Sequence, residues 1–126
     1  MFCIKFVLDN KKVTIVSVYR SPTGDYELFL ENLSYVLQCC CDDSDHVFIC
    51  DDLNIDYLSE SSYKQHLLDL LDCFDLKVAT SKPSRVFSNI RGKTSISQID
   101  YIITSSNIQP YSEDVIETHF SDHRAI

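Results

Sequence analysis

The stretch His46–Leu58 reads HVFICDDLNIDYL, and its two halves differ sharply in character. Its first half is apolar on both sides of the alternation that a strand imposes, which predicts a strand covered on both faces of a layered sheet. Its second half places Asp51, Asp52, Asn54 and Asp56 within six positions. Two readings compete for this acidic half. One is a surface turn, because Asp and Asn favour turns by bonding their own backbone. The other is a polar site at the end of a buried strand. There Asp52 and Asn54, two residues apart, share one side of an extended chain. The carboxylate can take a proton from water or hold a divalent cation, and the amide can donate to a phosphoryl oxygen. The stretch alone leaves both readings open.

Working outward, FCIKFVL and KVTIVSVYR predict two strands joined by a hairpin turn at DNKK. In the second, Val13, Ile15, Ser17 and Tyr19 fall on one side, and Thr14, Val16 and Val18 on the other. SPTGD reads as a loop. Residues 25–41 carry Tyr26, Phe29, Leu30, Leu33, Val36, Leu37 and Cys40 at helical spacing, with Glu27 and Glu31 on the wet side. Downstream of the acidic stretch, SSYKQHLLDLLDCFDL predicts a second helix. Ser62 and Gln65 have the spacing of a capping box, and Leu67, Leu70, Leu71 and Phe74 form the buried stripe. KVAT is a short strand, SKPSRVFSNIRGKTS a basic loop or hairpin, SQIDYIIT a strand and YSEDVIETHF another. Strands alternate with helices in the middle and follow one another at both ends. That order favours a layered α/β sandwich over a doubly wound parallel sheet.

The 126 residues, 44% hydrophobic and 24% charged, suit one domain with a core of its own. No run approaches the length of about 20 apolar residues needed to span a bilayer, so no membrane association is expected. The start reads as a strand and not as a signal peptide, which points to an intracellular chain. The net charge of −8 argues against coating nucleic acid by bulk electrostatics. That charge is uneven. From Lys77 to Lys93 the chain carries Lys77, Lys82, Arg85, Arg91 and Lys93 with no acid, whereas Asp42 to Asp56 carries six aspartates and no Lys or Arg. Each run alone reads as a solvated surface; together they suit an acidic metal site beside a basic rim. The six cysteines match no zinc spacing and read as reduced, mostly buried thiols.

Two further pieces bear on the acidic stretch. Asp100 sits in the otherwise apolar IDYII, where a charge needs a partner or costs several kcal/mol. Asp122 and His123 are adjacent in HFSDHRAI. One can bind a metal or polarise water while the other faces a phosphate. His123 needs a partner to fix its tautomer or keep it protonated, and Asp100 is the natural candidate. His66 and His119 carry no such signal.

The ordered set YRSP (19–22), DDLN (51–54), SQID (97–100) and SDH (121–123), with KPSRVF before the third, resembles the endonuclease/exonuclease/phosphatase superfamily. That is the fold of DNase I and of the apurinic/apyrimidinic endonucleases, and the likeness is in particular to the endonuclease domain of non-LTR (LINE-type) retrotransposons. The resemblance implies an α/β fold: a partial four-layer sandwich of mixed sheets flanked by helices, without its N-terminal part. Residues 1–126 would form one truncated domain, the C-terminal half to two-thirds of the whole. It implies Mg²⁺- or Mn²⁺-assisted phosphodiester hydrolysis on DNA, hence a nuclear site of action, and association with the remainder of a retroelement polyprotein. It also implies roles. Asp52 orients or deprotonates water, and Asn54 holds the scissile phosphate. Asp122 helps bind the metal. His123, paired with Asp100, stabilises charge on the phosphate, and Tyr19 contacts it. Arg20, Ser84, Arg85 and Ser97 hold the DNA backbone or position the site.

The sequence departs from that family in two ways. The Asn and the metal-binding Glu of the family's N-terminal half have no counterpart here, which predicts little or no activity for this chain alone. The family also has Gly where this chain has Asp51. On strict alternation Asp51 faces away from Asp52. The alternatives are therefore a catalytically dead remnant with at most a binding role, or a phosphatase acting on other phosphate esters.

Overall fold

The computed structural model describes residues 1–80, 82–90, 92–108, 114–117 and 121–124. The N-terminal hairpin pairs β1 (Phe2–Leu8) with β2 (Lys11–Ser17) in antiparallel register, from Phe2 opposite Ser17 to Leu8 opposite Lys11. Only Asp9 and Asn10 make the turn, and both take positive φ (48° and 62°). Two such residues match the right-handed twist of the flanking strands, and Asn and Asp tolerate the conformation best after Gly.

Helix α1 (Tyr26–Cys41) starts at Asp25, whose carboxylate accepts the Leu28 backbone N–H at 3.0 Å. It buries Tyr26, Phe29, Leu33, Leu37 and Cys40 of the stripe its spacing predicts, while Leu30 and Val36 are only half-buried. Strand β3 (His46–Asp52) returns parallel to β2, and α2 (Ser62–Asp72) follows. The α2 cap lies one residue earlier than the capping-box spacing suggests. Ser61 is extended and accepts the Lys64 N–H, and Gln65 donates to Asp69 instead of reaching back. Strand β4 (Leu76–Val78), the hairpin β5 (Arg85–Ser88) and β6 (Thr94–Ser97), and β7 (Asp100–Ser105) complete the described elements. Of the stretch expected as a last strand, residues 114–117 are described and carry none. The rest of it, His119 included, lies outside the described residues. Among those residues no helix is long and apolar enough to cross a membrane.

The main sheet is mixed, in the order β1-β2-β3-β7-β4; β5 and β6 form a separate two-stranded sheet. Val16, Val18, Val47, Ile49, Tyr101 and Ile103 project from one face and pack with Leu33 and Leu37 of α1 and Leu67 and Leu71 of α2. The opposite face is different. The apolar half of HVFICDDLNIDYL was expected to be covered on both sides. Val47 and Ile49 are buried, but Phe48 and Cys50 are only half-buried, and Phe2, Ile4, Phe6 and Leu8 beside them are exposed. Both helices lie on the other side of the sheet, which leaves this face open among the described residues. The thiols also depart from expectation. All six are free, and of them only Cys40 is buried; Cys3, Cys39 and Cys73 are exposed, Cys3 although it lies on the helix side of the edge strand β1, opposite Val16.

Candidate functional site

The acidic half of HVFICDDLNIDYL is where β3 ends. The ladder with β7 runs from Phe48 opposite Thr104 to Asp52 opposite Asp100, so the two carboxylates face each other across neighbouring strands. Antiparallel partners share a face. Asp52 and Asp100 therefore lie on the open face of the sheet, at its end.

The segment 121–124 closes the site from the other side. Arg85 and His123 form an antiparallel bridge, the Val86 N–H donates to the Asp122 carbonyl (3.0 Å), and the Arg124 N–H donates to the Ser84 carbonyl (2.7 Å). This short pairing carries the His123 ring to Asp100, with Nδ1 at 3.2 and 3.0 Å from the two carboxylate oxygens. The structure thus forms the Asp100–His123 pair expected from the sequence. Both side chains stay partly open to water, 21% and 31% exposed, so a substrate can reach them. Asp52, Asp100 and His123 bring one ligand atom each to within 4.8 Å of one another. Two carboxylates and an imidazole at that spacing fit a divalent cation, with oxygen donors suiting Mg²⁺ and the added nitrogen suiting Mn²⁺. Burial pushes the Asp52 carboxyl above its ordinary pKa. The Asn54 N–H opposes that shift, the Asp100 and Asp51 charges add to it, and His123 opposes it.

Asn54 meets Asp52 differently from the extended arrangement. The strand stops at Asp52 and Asn54 takes φ 49°. The Asp52 carboxylate accepts the Asn54 backbone N–H at 2.8 Å, so the same stretch is an Asx turn and a polar site at once. The Asn54 amide donates one N–H to the Arg20 carbonyl at 2.8 Å, and its second N–H remains available by valence.

Asp51 breaks alternation. Its φ of 131° lies where L-residues are strained, and its side chain is exposed instead of pointing into the helix-covered core like Val47 and Ile49. It accepts the Ser17 hydroxyl at 2.6 Å. Ser17 pairs with Cys50 on the open face. Asp51 therefore lies on the same side as Asp52, not on the opposite one.

The remaining candidates divide. Tyr19 is exposed, on the open-face side of the chain that continues β2. Arg20 and Ser84 are buried, at 8% and 0%, and cannot lie along a DNA backbone. Arg20 bonds the carbonyls of Leu53 and Asn54 (both 2.8 Å), and the Ser84 hydroxyl accepts the backbone N–H groups of Ile99 (3.1 Å) and Asp100 (3.0 Å). Asp122 lies outside the three-residue cluster. Arg85 Nε bonds it at 2.7 Å and holds its carboxyl below the usual carboxylate range. Ser97 is half-buried at the end of β6, opposite Arg85.

A further set escaped sequence reasoning. The Asp56 carboxylate accepts the backbone N–H groups of Leu58 (3.1 Å) and Gln98 (3.0 Å), and fully buried Gln98 donates to Thr80. Asp56 is therefore more than a turn residue, because it fastens the loop after β3 to the segment before Asp100. The one signal for this was the place of Gln98 in SQID, which does not reveal a partner 42 residues away.

The profile of the family described as endonuclease-reverse transcriptase matches residues 13–126. Among solved structures, the endonuclease domain of TRAS1, a telomere-specific non-LTR retrotransposon, is similar, with a TM-score of 0.78 and 18% sequence identity. The match covers 95% of this chain, which spans 58% of the length of that one. No curated protein matches. The likeness is one of fold, an α/β arrangement of the DNase I-like kind with a mixed sheet flanked by helices.

Proposed function

The chain belongs to the endonuclease-reverse transcriptase family, and on that premise we propose that it carries the hydrolytic end of a DNA endonuclease of the retrotransposon type, cutting phosphodiesters with a divalent cation. The observation that carries this reading is the cluster of Asp52, Asp100 and His123, whose ligand atoms lie within 4.8 Å of one another. Such a protein would act inside the cell and in the nucleus, beside the rest of its polyprotein.

The residues divide the work. Asp52, raised in pKa by burial, accepts a proton from an attacking water more readily than an ordinary aspartate. Asp100 bonds Nδ1 of His123 and so orients the imidazole, whose role would be to stabilise negative charge as it grows on a phosphoryl oxygen. The uncommitted N–H of Asn54 and the exposed hydroxyl of Tyr19 supply further donors on the same side. Mg²⁺ or Mn²⁺ bound by the Asp52 and Asp100 carboxylates would neutralise charge on the phosphate. Asp122, through its pair with Arg85, would orient the neighbouring His123.

A second reading, a remnant of the fold with at most a binding role, is favoured by one observation. The Asp122 carboxylate faces Arg85 and not the cluster. A plasmid-nicking assay with Mg²⁺ separates the two. The enzyme reading expects nicking by the wild type and its loss in Asp52→Ala and His123→Ala; equal background from all three proteins would leave the remnant.

A further inference from the structure

We propose that Arg20 is a positioning residue, a buried fork that sets the corner carrying Asp52 and Asn54; its role in catalysis rests on the nuclease reading above. Four hydrogen bonds support it. The Arg20 backbone N–H donates to the Asp52 carbonyl at 3.1 Å, so the chain after β2 extends the ladder to the last residue of β3. Its Nε and one terminal nitrogen then donate to the carbonyls of Leu53 and Asn54, both at 2.8 Å. In return, the Asn54 side chain donates to the Arg20 carbonyl at 2.8 Å. The corner is therefore gripped on three successive carbonyls by one residue.

The choice of residue is informative. Burying a guanidinium costs free energy unless it is well bonded, and a carboxylate partner is the common solution. Among the described residues Arg20 forms no ion pair. It rests instead on carbonyl oxygens and beneath the Tyr26 ring, 5.8 Å from its centroid. The planar fork suits two carbonyls at fixed spacing, which the single ammonium of Lys cannot match. What it holds is a strained element, since Asn54 has positive φ just past the carboxylate that bonds its N–H.

The test is Arg20→Lys, with Arg20→Gln as a second variant should the first not fold. Two measurements are made on each protein: residue-resolved amide hydrogen exchange, and nicking kinetics on plasmid DNA with Mg²⁺. The expected result is faster exchange at Asn54 with Val47, Ile49 and Ile103 unchanged. The accompanying kinetic result is a fall in kcat of about ten- to a hundredfold with little change in KM, the size of a loss from misplacing a reacting group. Unchanged exchange at Asn54, or a raised KM with unchanged kcat, would overturn the proposal, the latter by making Arg20 a DNA contact. If the wild type itself does not nick, the exchange measurement still decides whether Arg20 holds the corner, and only the nuclease reading falls.

Discussion

One face of the five-stranded sheet lies under both helices, while the other is open among the described residues and ends in the polar site. Both are apolar by composition. On the helix side Val16, Ile49 and Ile103 are at most 1% exposed; on the open side Phe2, Ile4 and Leu8 are 48–65% exposed. The same alternation of side chains thus produces a packed core on one side and an only partly packed surface on the other, where Val13 and Thr104 are buried but the β1 residues are exposed. Alternation assigns residues to faces; what covers each face depends on the helices, and both of these pack on the same side. The contrast teaches that stability and site chemistry are separable here: the helix face holds the sheet together, and the open face carries Asp52, Asp100 and His123.

The largest expected effect tests that separation. Leu37→Ala removes a fully buried side chain from the helix face and should cost about 2–5 kcal/mol of unfolding free energy. Ile4→Ala on the open face should change it by no more than about 0.5 kcal/mol. Urea unfolding of the two variants measures both. Equal losses would break the comparison, because they would mean that the open face is packed in solution.

Next in size is Ser84→Ala. The serine is fully buried, and its hydroxyl accepts two backbone N–H groups, one of them from Asp100. Leaving buried donors unpaired costs about 1–3 kcal/mol. A loss below that range would show that water replaces the hydroxyl.

How much of this was legible in the sequence follows from the range of each interaction. Most of the helix stripes, the turn within DNKK and the strand of HVFIC depend on neighbours within a few residues, and they were readable, although Lys11 and Lys12 belong to β2 and Phe74 lies past the end of α2. The Asp100–His123 pair joins distant segments, yet an isolated charge in an apolar strand implied a partner. The forks of Arg20 and Ser84 were not readable as such, because a basic or hydroxyl side chain near a motif looks the same whether it faces a ligand or a buried carbonyl. Asp51 was misread for a different reason. Strict alternation assumes negative φ, and its φ of 131° swings the carboxylate out to Ser17. That strain sharpens the comparison into a prediction. Asp51→Gly should stabilise the protein by about 1 kcal/mol. Strain of order 1–3 kcal/mol is relieved, set against about 0.5–1 kcal/mol of added backbone entropy and two exposed hydrogen bonds, from the Ser17 hydroxyl and the Asp52 N–H. Thermal unfolding measures it, and a lower Tm would show that the two hydrogen bonds to the Asp51 carboxylate outweigh the strain.

The smallest effect concerns Asp52 itself. Its folded pKa is raised from the ordinary 3.8, chiefly by burial. A raised carboxyl favours folding in its protonated form. That contribution is complete below the unfolded pKa and is lost as pH rises through the folded one. Asp52→Asn keeps the oxygen that accepts the Asn54 N–H and removes the titration. In metal-free buffer the two proteins should therefore match in stability at acid pH. They should separate as pH rises above the ordinary aspartate range, with the variant more stable by less than about 1 kcal/mol. A gap that narrows with rising pH would reverse the sign, and would mean that His123 and the Asn54 N–H stabilise the carboxylate more than burial penalises it. If the expected order holds, the open face keeps a charge at the expense of the fold, and the helix face supplies the stability that tolerates it.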